Sequence, residues 1–177
     1  MRALVVYESM FGNTRAVARA ISEGIASTMP VEAVEVGSAP IALPDDVALL
    51  VVGGPTHAHG MTTRQSRSNA AGRTGEPLVS PGSGLREYLA SMRADPGVVA
   101  AAFDTRIKGP MLFTGSAATS ATKQLQKVRF KSVEPPRSFV LEGATGPLVD
   151  RMSNDELEAA RTWGANLAAT AASAPSA

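Results

Sequence analysis

A short turn near the start of the chain carries side chains well suited to hold a ligand. It follows the apolar run ALVVY at residues 3–7 and consists of Ser9, Met10, Phe11, Gly12, Asn13 and Thr14. Its hydroxyl and amide groups can donate hydrogen bonds, and its glycine lets the backbone approach a ligand closely. Because the chain turns helical at Thr14, the unpaired N–H groups of a helix start also point at this turn. The turn therefore predicts an anion site, with a phosphate as the first candidate.

The composition of this turn narrows the kind of phosphate. The turn contains no lysine, which separates it from the phosphate loop of nucleotide hydrolases. It also lacks the glycine spacing of a dinucleotide-binding loop. A phosphomonoester held mostly by neutral donors therefore fits better than a nucleoside triphosphate that undergoes transfer.

Two further polar segments follow apolar runs and are candidates for the same site. The first comes after the run VALLVV at residues 47–52 and two glycines, and it consists of Pro55, Thr56, His57, Ala58, His59 and Gly60. The second comes after the run VVAAAF at residues 98–103 and consists of Asp104, Thr105 and Arg106. If the apolar runs are parallel strands, all three polar segments meet at one edge of the sheet. We therefore predict one site built from the three segments.

The two histidines of the chain, His57 and His59, leave three hypotheses open. In an extended segment their imidazoles would point the same way, which suits a metal pair or a proton shuttle near neutral pH, or they are surface groups without a role. The sequence contains no cysteine, so disulfide, thiolate and iron–sulfur chemistry are excluded. Any redox chemistry must then come from a bound organic cofactor.

The elements that position these segments alternate along the chain. Helical spacing of apolar residues follows Thr14, Ser83, Ser116 and Ser153, and strand patterns occupy residues 3–7, 31–36, 47–52, 98–103 and 137–142. Such alternation predicts an α/β fold, with a doubly wound parallel sheet, right-handed crossovers and helices on both faces. Residues 47–52 are expected beside residues 3–7, and residues 31–36 at or near a sheet edge.

The chain between the second segment and Ser83 does not follow this pattern. Residues 56–82 have almost no apolar periodicity and exceed an ordinary connection, and the second half of this stretch is either a disordered surface insertion or a lid over the active site. Ser83 is expected to cap the next helix. Residues 1–170 are expected to form a single domain, and residues 171–177 a frayed tail.

The three polar segments resemble those of the flavodoxin family. YESMFGNT at residues 7–14 resembles the family's FMN phosphate loop: Ser9, Gly12 and Thr14 match, and Phe11 stands where the family often has threonine. GGPTHAHGM at residues 53–61 is similar to the second FMN loop of flavodoxin-like quinone reductases, and residues 104–106 occupy the place of the third. The resemblance implies a five-stranded parallel sheet in the order 2-1-3-4-5, with FMN held non-covalently at its C-terminal edge.

The same resemblance implies two functions from different classes. One is a flavoprotein that works in electron transfer or as an oxidoreductase of the NAD(P)H:quinone type, with a redox partner protein or a small quinone-like acceptor. In that case His57 and His59 would lie near the flavin edge, and Arg106 would place positive charge near the reduced ring. The alternative is a flavodoxin-like module without FMN that serves as a binding or interaction domain, which the phenylalanine at position 11 favours.

The net charge and the first residues of the chain indicate where the protein is located and which partners it has. The chain has 17 lysines and arginines against 16 aspartates and glutamates, a net charge of +1, so general attraction to nucleic acid or an anionic membrane is not expected. Met1 and Arg2 lead directly into a strand too short for a signal peptide or a membrane span. We therefore expect a cytoplasmic protein without membrane insertion. The sequence makes no prediction about its oligomeric state.

Overall fold

A parallel sheet forms the centre of the chain in a computed structural model, which describes residues 1–57, 59–74, 77–93, 97–109, 115–142, 149 and 151–173. Its strands are β1 (Arg2–Tyr7), β2 (Val31–Glu35), β3 (Val47–His57), β4 (Gly60–Met61), β5 (Val99–Ile107), β6 (Lys131–Ser132) and β7 (Arg137–Leu141). The helices are α1 (Asn13–Ile25), α2 (Arg64–Thr74), α3 (Leu85–Ser91), α4 (Ala117–Lys127) and α5 (Asn154–Ser173). A 3-10 turn occupies Val36–Ser38.

The strand order follows the expectation at the centre of the sheet and departs from it at one edge. Strands β2, β1, β3 and β5 are neighbours in that order, and all of these pairs are parallel. The expected fifth strand is divided in two, because β6 pairs with the start of β5 and β7 with its end. Pro135 and Pro136 lie between the two pieces, and proline has no N–H to give to a ladder. The predicted count of five strands is therefore corrected.

Helices cover both faces of the sheet, as an α/β fold of this class requires. Because side chains alternate along a strand, Ala3 and Val5 of β1 face one layer, and Leu4 and Val6 face the other. The first layer contains α1 and α5, and the second contains α3 and α4. The predicted α/β class, with a doubly wound parallel sheet, is confirmed. No helix in the described ranges is long and apolar enough to cross a membrane.

The two central strands run further than the sequence predicted. We expected strands to end at Val52 and Phe103, but β3 continues to His57 and β5 to Ile107. The glycine at position 53 is part of the ladder, and the ring of Phe103 fills the space where its side chain would lie. Pro55 lies past Tyr7, the last residue of β1 in the ladder with β3, where fewer backbone donors are needed. Residues that look like a loop signal are therefore strand.

Three local expectations are also corrected. Residues 62–82 were expected to lack regular structure, but α2 covers Arg64–Thr74. The N-cap of α3 is Gly84 and not Ser83, because the Gly84 N–H is satisfied by the carboxylate of Glu87 at 3.0 Å. Helix α5 continues to Ser173 with Ala171 buried, so residues 171–173 are not part of a frayed tail. Residues 174–177 lie outside the described part of the chain.

Candidate functional site

The turn between β1 and α1 has the geometry of an anion site. Gly12 is the N-cap of α1, and its φ of 92° lies in the left-handed region that favours glycine. No side chain caps the helix at this position. Instead, Ser9 Oγ accepts the N–H groups of Gly12 and Arg15, at 3.2 and 3.3 Å. Since both bonds use lone pairs of the oxygen, the hydroxyl proton of Ser9 can be donated to a ligand.

A remote segment holds this turn in place. The Ser9 N–H donates to Ser80 Oγ at 2.9 Å, and the Ser80 N–H donates back to the Ser9 carbonyl at 2.8 Å. The Val79 N–H donates to the Met10 carbonyl at 3.1 Å. Ser80 is fully buried. Sequence analysis did not identify Ser80, because it lies in the stretch that lacked periodicity.

The three predicted segments converge on one cleft of about 350 Å³. The first segment contributes Ser9, Met10, Phe11, Asn13 and Thr14 to its wall, and the second contributes Pro55, Thr56 and His57. The third contributes Thr105 and Arg106. Within the described residues the wall carries no aspartate or glutamate, and Arg106 supplies a guanidinium. The cleft therefore suits a ligand that carries negative charge.

Two hydrogen bonds tie the segments to each other and to the rest of the chain. The hydroxyls of Thr14 and Thr105 lie 2.7 Å apart, which joins the start of α1 to the end of β5. Asn13 Oδ1 accepts the Arg151 N–H at 2.7 Å. These bonds fix the start of α1 against the neighbouring strand and against the chain that precedes α5.

Some predicted site residues lie outside the cleft wall. Gly12 shapes the turn without lining the cleft, and His59 and Gly60 do not line it either. Ala58 lies outside the described residues. Asp104 is fully buried, and its Oδ2 accepts hydrogen bonds that hold the start of α4, from Ser116 Oγ at 2.6 Å and the Ala118 N–H at 2.9 Å. The structure therefore gives Asp104 a structural position behind the site.

The two histidines do not point the same way. His57 lines the cleft at the end of β3, whereas His59 is exposed and has a φ of 75°. The backbone of His59 forms a bridge with Gly115, whose missing side chain permits the close approach. Among the described residues, no three histidine, aspartate or glutamate side chains come together to hold a metal ion.

The cleft also has wall residues that sequence analysis did not identify. Ile107 and Leu141 come from the ends of β5 and β7, and Ser66, Asn69 and Ala70 come from α2. A signal for α2 was present in the sequence, because Thr63 and Ser66 have the spacing of a capping box. Thr63 Oγ1 accepts the Ser66 N–H at 3.2 Å, and Ser66 Oγ accepts the Thr63 N–H at 2.9 Å.

A buried carboxylate lies directly behind the turn. Glu8 is fully buried, and its Oε1 accepts the Thr62 hydroxyl at 2.5 Å while its Oε2 accepts the Leu85 N–H at 2.8 Å. The guanidinium of Arg67 lies 3.9 Å from Glu8 Oε1. Burial raises the pKa of Glu8 above its ordinary value, and this effect outweighs the opposing hydrogen bonds and the charge of Arg67.

Replacing Glu8 with glutamine is expected to change how stability depends on pH. Because the pKa of Glu8 is raised above 4.5 in the folded chain, the folded state takes up a proton more readily than the unfolded state. Glu8 therefore contributes to the free energy of unfolding in full at pH values below its pKa in the unfolded chain. This contribution is lost as pH rises through the pKa of Glu8 in the folded chain.

We therefore expect the wild-type chain to lose stability relative to Glu8→Gln as pH rises from 4.5 to neutrality. Urea unfolding of the two chains across this range is the measurement. The comparison is internally controlled, because every other titrating group is common to both chains. A difference that stays constant with pH would contradict the raised pKa.

Solved structures with the same fold include flavodoxins and a flavodiiron core. A flavodoxin from the domain Archaea has a TM-score of 0.63 and 21% sequence identity, covering 97% of this chain and 99% of that chain. The flavodoxin of Streptococcus pneumonia TIGR4 has a TM-score of 0.63 and 12% identity over 96% of this chain and 98% of that one. The Flv1 flavodiiron core from Synechocystis has a TM-score of 0.65 and 17% identity.

These comparisons establish the fold of the chain. The match to the flavodiiron core covers 99% of this chain but only 37% of that protein, whereas the two flavodoxins match along nearly their whole length. No protein-family model and no curated protein matches the sequence. The chain therefore has a flavodoxin-like fold, as the resemblance of its loops implied.

Proposed function

We propose that this chain, which has a flavodoxin-like fold, binds FMN non-covalently in the cleft at the C-terminal edge of its sheet. The observation that carries the proposal is the convergence of three strand ends on one cleft whose described wall has no carboxylate. A ligand with a phosphate and a planar ring suits an anion turn at one end of such a cleft and strand-end residues along the rest. The solved flavodoxins of the same fold support this choice of ligand.

The residues of the turn fit the phosphate group of FMN. Gly12 is left-handed and has no side chain to cap α1, and the first N–H groups of a helix point at the turn before it. Ser9 can donate its hydroxyl proton while it accepts two backbone N–H groups. One of the paired hydroxyls of Thr14 and Thr105 donates to the other, so the second hydroxyl proton is available to a ligand.

The residues at the ends of β3 and β5 fit the ring. Pro55, Thr56 and His57 form one part of the cleft wall, and Arg106 brings a positive charge to another. FMN supplies the redox chemistry when it is bound, and the chain orients it and sets the charge around it. His57 lines the cleft, and in this proposal it hydrogen-bonds a ring atom or moves a proton near neutral pH.

A binding module that has lost FMN is the second candidate function. It is favoured by Phe11, which lines the cleft in place of a hydroxyl residue that the family often has. It is also favoured by Ser9, whose oxygen already takes up the N–H groups of Gly12 and Arg15. In this alternative the turn is satisfied internally and the cleft receives part of a partner protein.

An absorbance spectrum of the purified chain, followed by FMN titration, separates the two functions. We expect flavin bands on isolation or saturable uptake at micromolar FMN. Riboflavin, which has the ring but not the phosphate, is the matched probe, and we expect it to bind more weakly. The absence of flavin bands together with no saturable uptake would reject FMN binding in favour of the interaction module.

We further propose that the electron acceptor is a small quinone-like molecule. The net charge of +1 differs from the strongly acidic character of flavodoxins that dock basic partner proteins, which favours direct reduction of a small substrate. Stopped-flow mixing of the FMN-loaded chain with NAD(P)H, with and without a quinone, is the test. Reduction by NAD(P)H followed by quinone-dependent reoxidation supports the enzyme. Absence of both steps would leave a carrier that depends on a protein partner.

Replacing Arg106 with glutamine is expected to make the midpoint potential of bound FMN more negative by about 30 mV, one tenfold change for a two-electron couple. The reason is that the Arg106 guanidinium lines the cleft and favours the negative charge of the reduced flavin. A redox titration against a dye of known potential measures the shift. Arg64→Gln is the control, because Arg64 is exposed and lies outside the cleft wall. An unchanged or more positive potential in Arg106→Gln would contradict the assignment.

A further inference from the structure

Helix α2 has almost no apolar side chains to anchor it. Its sequence is RQSRSNAAGRT, and of residues 64–72 only Arg67 and Ala70 are buried. A helix of 11 residues is marginal by itself in water, and most helices of that length depend on an apolar face packed against the core. The position of α2 must therefore depend on polar contacts.

The helix also lies between two open spaces. Ser66, Asn69 and Ala70 have the spacing of one helical face, and they line the cleft of the proposed FMN site. On the other side, Arg64, Ser68 and Ala71 line a second cleft of about 740 Å³. Outside α2, the wall of this second cleft comes from Pro77, Leu78, Pro81, Gly82, Ser83 and Glu87. Helix α2 therefore separates the two clefts.

A buried arginine of α2 makes the polar contacts that hold the helix in place. Arg67 is 5% exposed, and its Nη1 donates to Thr62 Oγ1 at 2.9 Å. The same guanidinium donates to both carboxylate oxygens of Glu87, at 3.2 and 3.0 Å. Thr62 in turn donates to the buried carboxylate of Glu8. Arg67 thus joins α2 to the end of β1 and to the start of α3.

The space around the guanidinium is closed on the side of α3. A side chain at Gly84 would place its Cβ 2.3 Å from Arg67 Nη1 and 2.9 Å from Glu8 Oε2. The space around the Arg67 guanidinium is narrow and the partners of this group are polar. The contact therefore depends on geometry and charge and not on buried apolar area. The carboxylate of Glu87 is 42% exposed, and water can replace Arg67 as its partner when the contact opens.

We propose that α2 is a lid on the cleft, and that Arg67 holds it closed through its contacts with Thr62 and Glu87. Opening exchanges charge-assisted hydrogen bonds for hydration and exposes little apolar surface, so it requires less free energy than global unfolding. Since α2 forms one wall of the cleft, its position controls entry of the ligand. The identity of that ligand rests on the proposed function, whereas the motion of the lid belongs to the chain itself.

Amide hydrogen exchange of the chain without FMN tests the lid directly. We expect the amides of α2 to exchange through local opening faster than those of α5, which has a buried face. Glu87→Gln removes the negative charge that Arg67 binds, and it should raise the α2 exchange rates at least tenfold without changing those of α1 and α5. Glu158→Gln is the matched control, because Glu158 is an exposed partner of Arg161 on α5. It should leave α2 unchanged.

Either of two results would overturn the proposal that α2 is a lid. One is α2 exchange as slow as that of α5 in the wild-type chain, and the other is no change of α2 exchange in Glu87→Gln. Arg67→Lys provides a second test, since lysine keeps the charge but not the two-pronged contact with Glu87. It should also raise the α2 exchange rates at least tenfold, and unchanged rates would contradict the role of Arg67 in holding α2 closed.

FMN kinetics separate failure of the lid from failure of the proposed function. If FMN binds, Glu87→Gln should increase its association rate constant at least threefold, because the lid is open for a larger fraction of time. Absence of FMN binding in both chains would reject the proposed ligand and leave the exchange result standing. FMN binding with equal association rates in the two chains would reject the lid and leave the ligand standing.

Discussion

Replacing Asn13 with aspartate is expected to weaken FMN binding at least tenfold, a loss of about 1.4 kcal/mol. Asn13 is the first residue of α1 and lines the cleft, so a carboxylate there would repel the phosphate of the ligand. The substitution retains one hydrogen bond at this position. An aspartate oxygen can still accept the Arg151 N–H, which Asn13 Oδ1 accepts at 2.7 Å, and a negative charge at a helix N-terminus is favourable.

Riboflavin is the control that isolates the phosphate in this experiment. The affinity of the chain for riboflavin should be nearly the same in Asn13→Asp and in the wild type, because riboflavin carries no phosphate to repel. Fluorescence quenching on titration measures both ligands. Equal losses for FMN and riboflavin would indicate a distorted cleft, and an unchanged FMN affinity would show that the phosphate lies elsewhere.

Replacing Gly53 with alanine is expected to lower the free energy of unfolding by about 3 kcal/mol, at the upper end for overpacking of a core. The added Cβ would lie 2.1 Å from Cζ of the Phe103 ring. That ring cannot turn away, because it is fully buried and packs edge-on against Phe139 and Trp163, with centroid distances of 6.2 and 6.5 Å. Strand β5 must shift instead. The same strand holds Thr105 and Arg106 in the cleft wall, so the shift also disturbs the cleft.

The neighbouring glycine supplies a matched control in the same strand. A Cβ at Gly54 would point to the other face of the sheet, 3.3 Å from Leu85 Cδ2 and 3.7 Å from Glu8 Cβ. These contacts require only a small adjustment, so Gly54→Ala should cost less than about 1 kcal/mol. Urea unfolding followed by the fluorescence of Trp163, the single tryptophan of the chain, measures both variants. If both variants lost the same free energy of unfolding, the cause would be strand flexibility at these positions and not a clash with the Phe103 ring.

The elements that the sequence predicted well are those whose signal is local. The run at residues 3–7, the turn at residues 9–14 and the helix after it were predicted from neighbouring residues, and they appear as β1, the left-handed Gly12 turn and α1. The predicted meeting of the three polar segments follows from a general property of parallel sheets. Most members of the predicted site therefore line one cleft.

The elements that the sequence did not predict depend on remote partners. Helix α2 has no apolar stripe, and its buried Arg67 is satisfied by Glu87, 20 positions along the chain, and by Thr62, which in turn contacts Glu8. The C-terminal end of β3 was missed for a similar reason. Gly53 by itself is typical of a strand end, and its pairing with Tyr7 and Phe103 on the neighbouring strands makes it a strand residue.

The sequence by itself determined the α/β class, the turn between β1 and α1 and the meeting of the polar segments at one edge of the sheet, because hydrophobic periodicity and helix-start chemistry are encoded over a few residues. Tertiary structure alone decided which polar side chains face the cleft. It turned Asp104 toward α4 and His59 toward solvent, and it brought Ser66 and Asn69 to the wall. The physical reason is that buried polar groups are directed by their hydrogen-bond partners, and these partners come from distant parts of the chain.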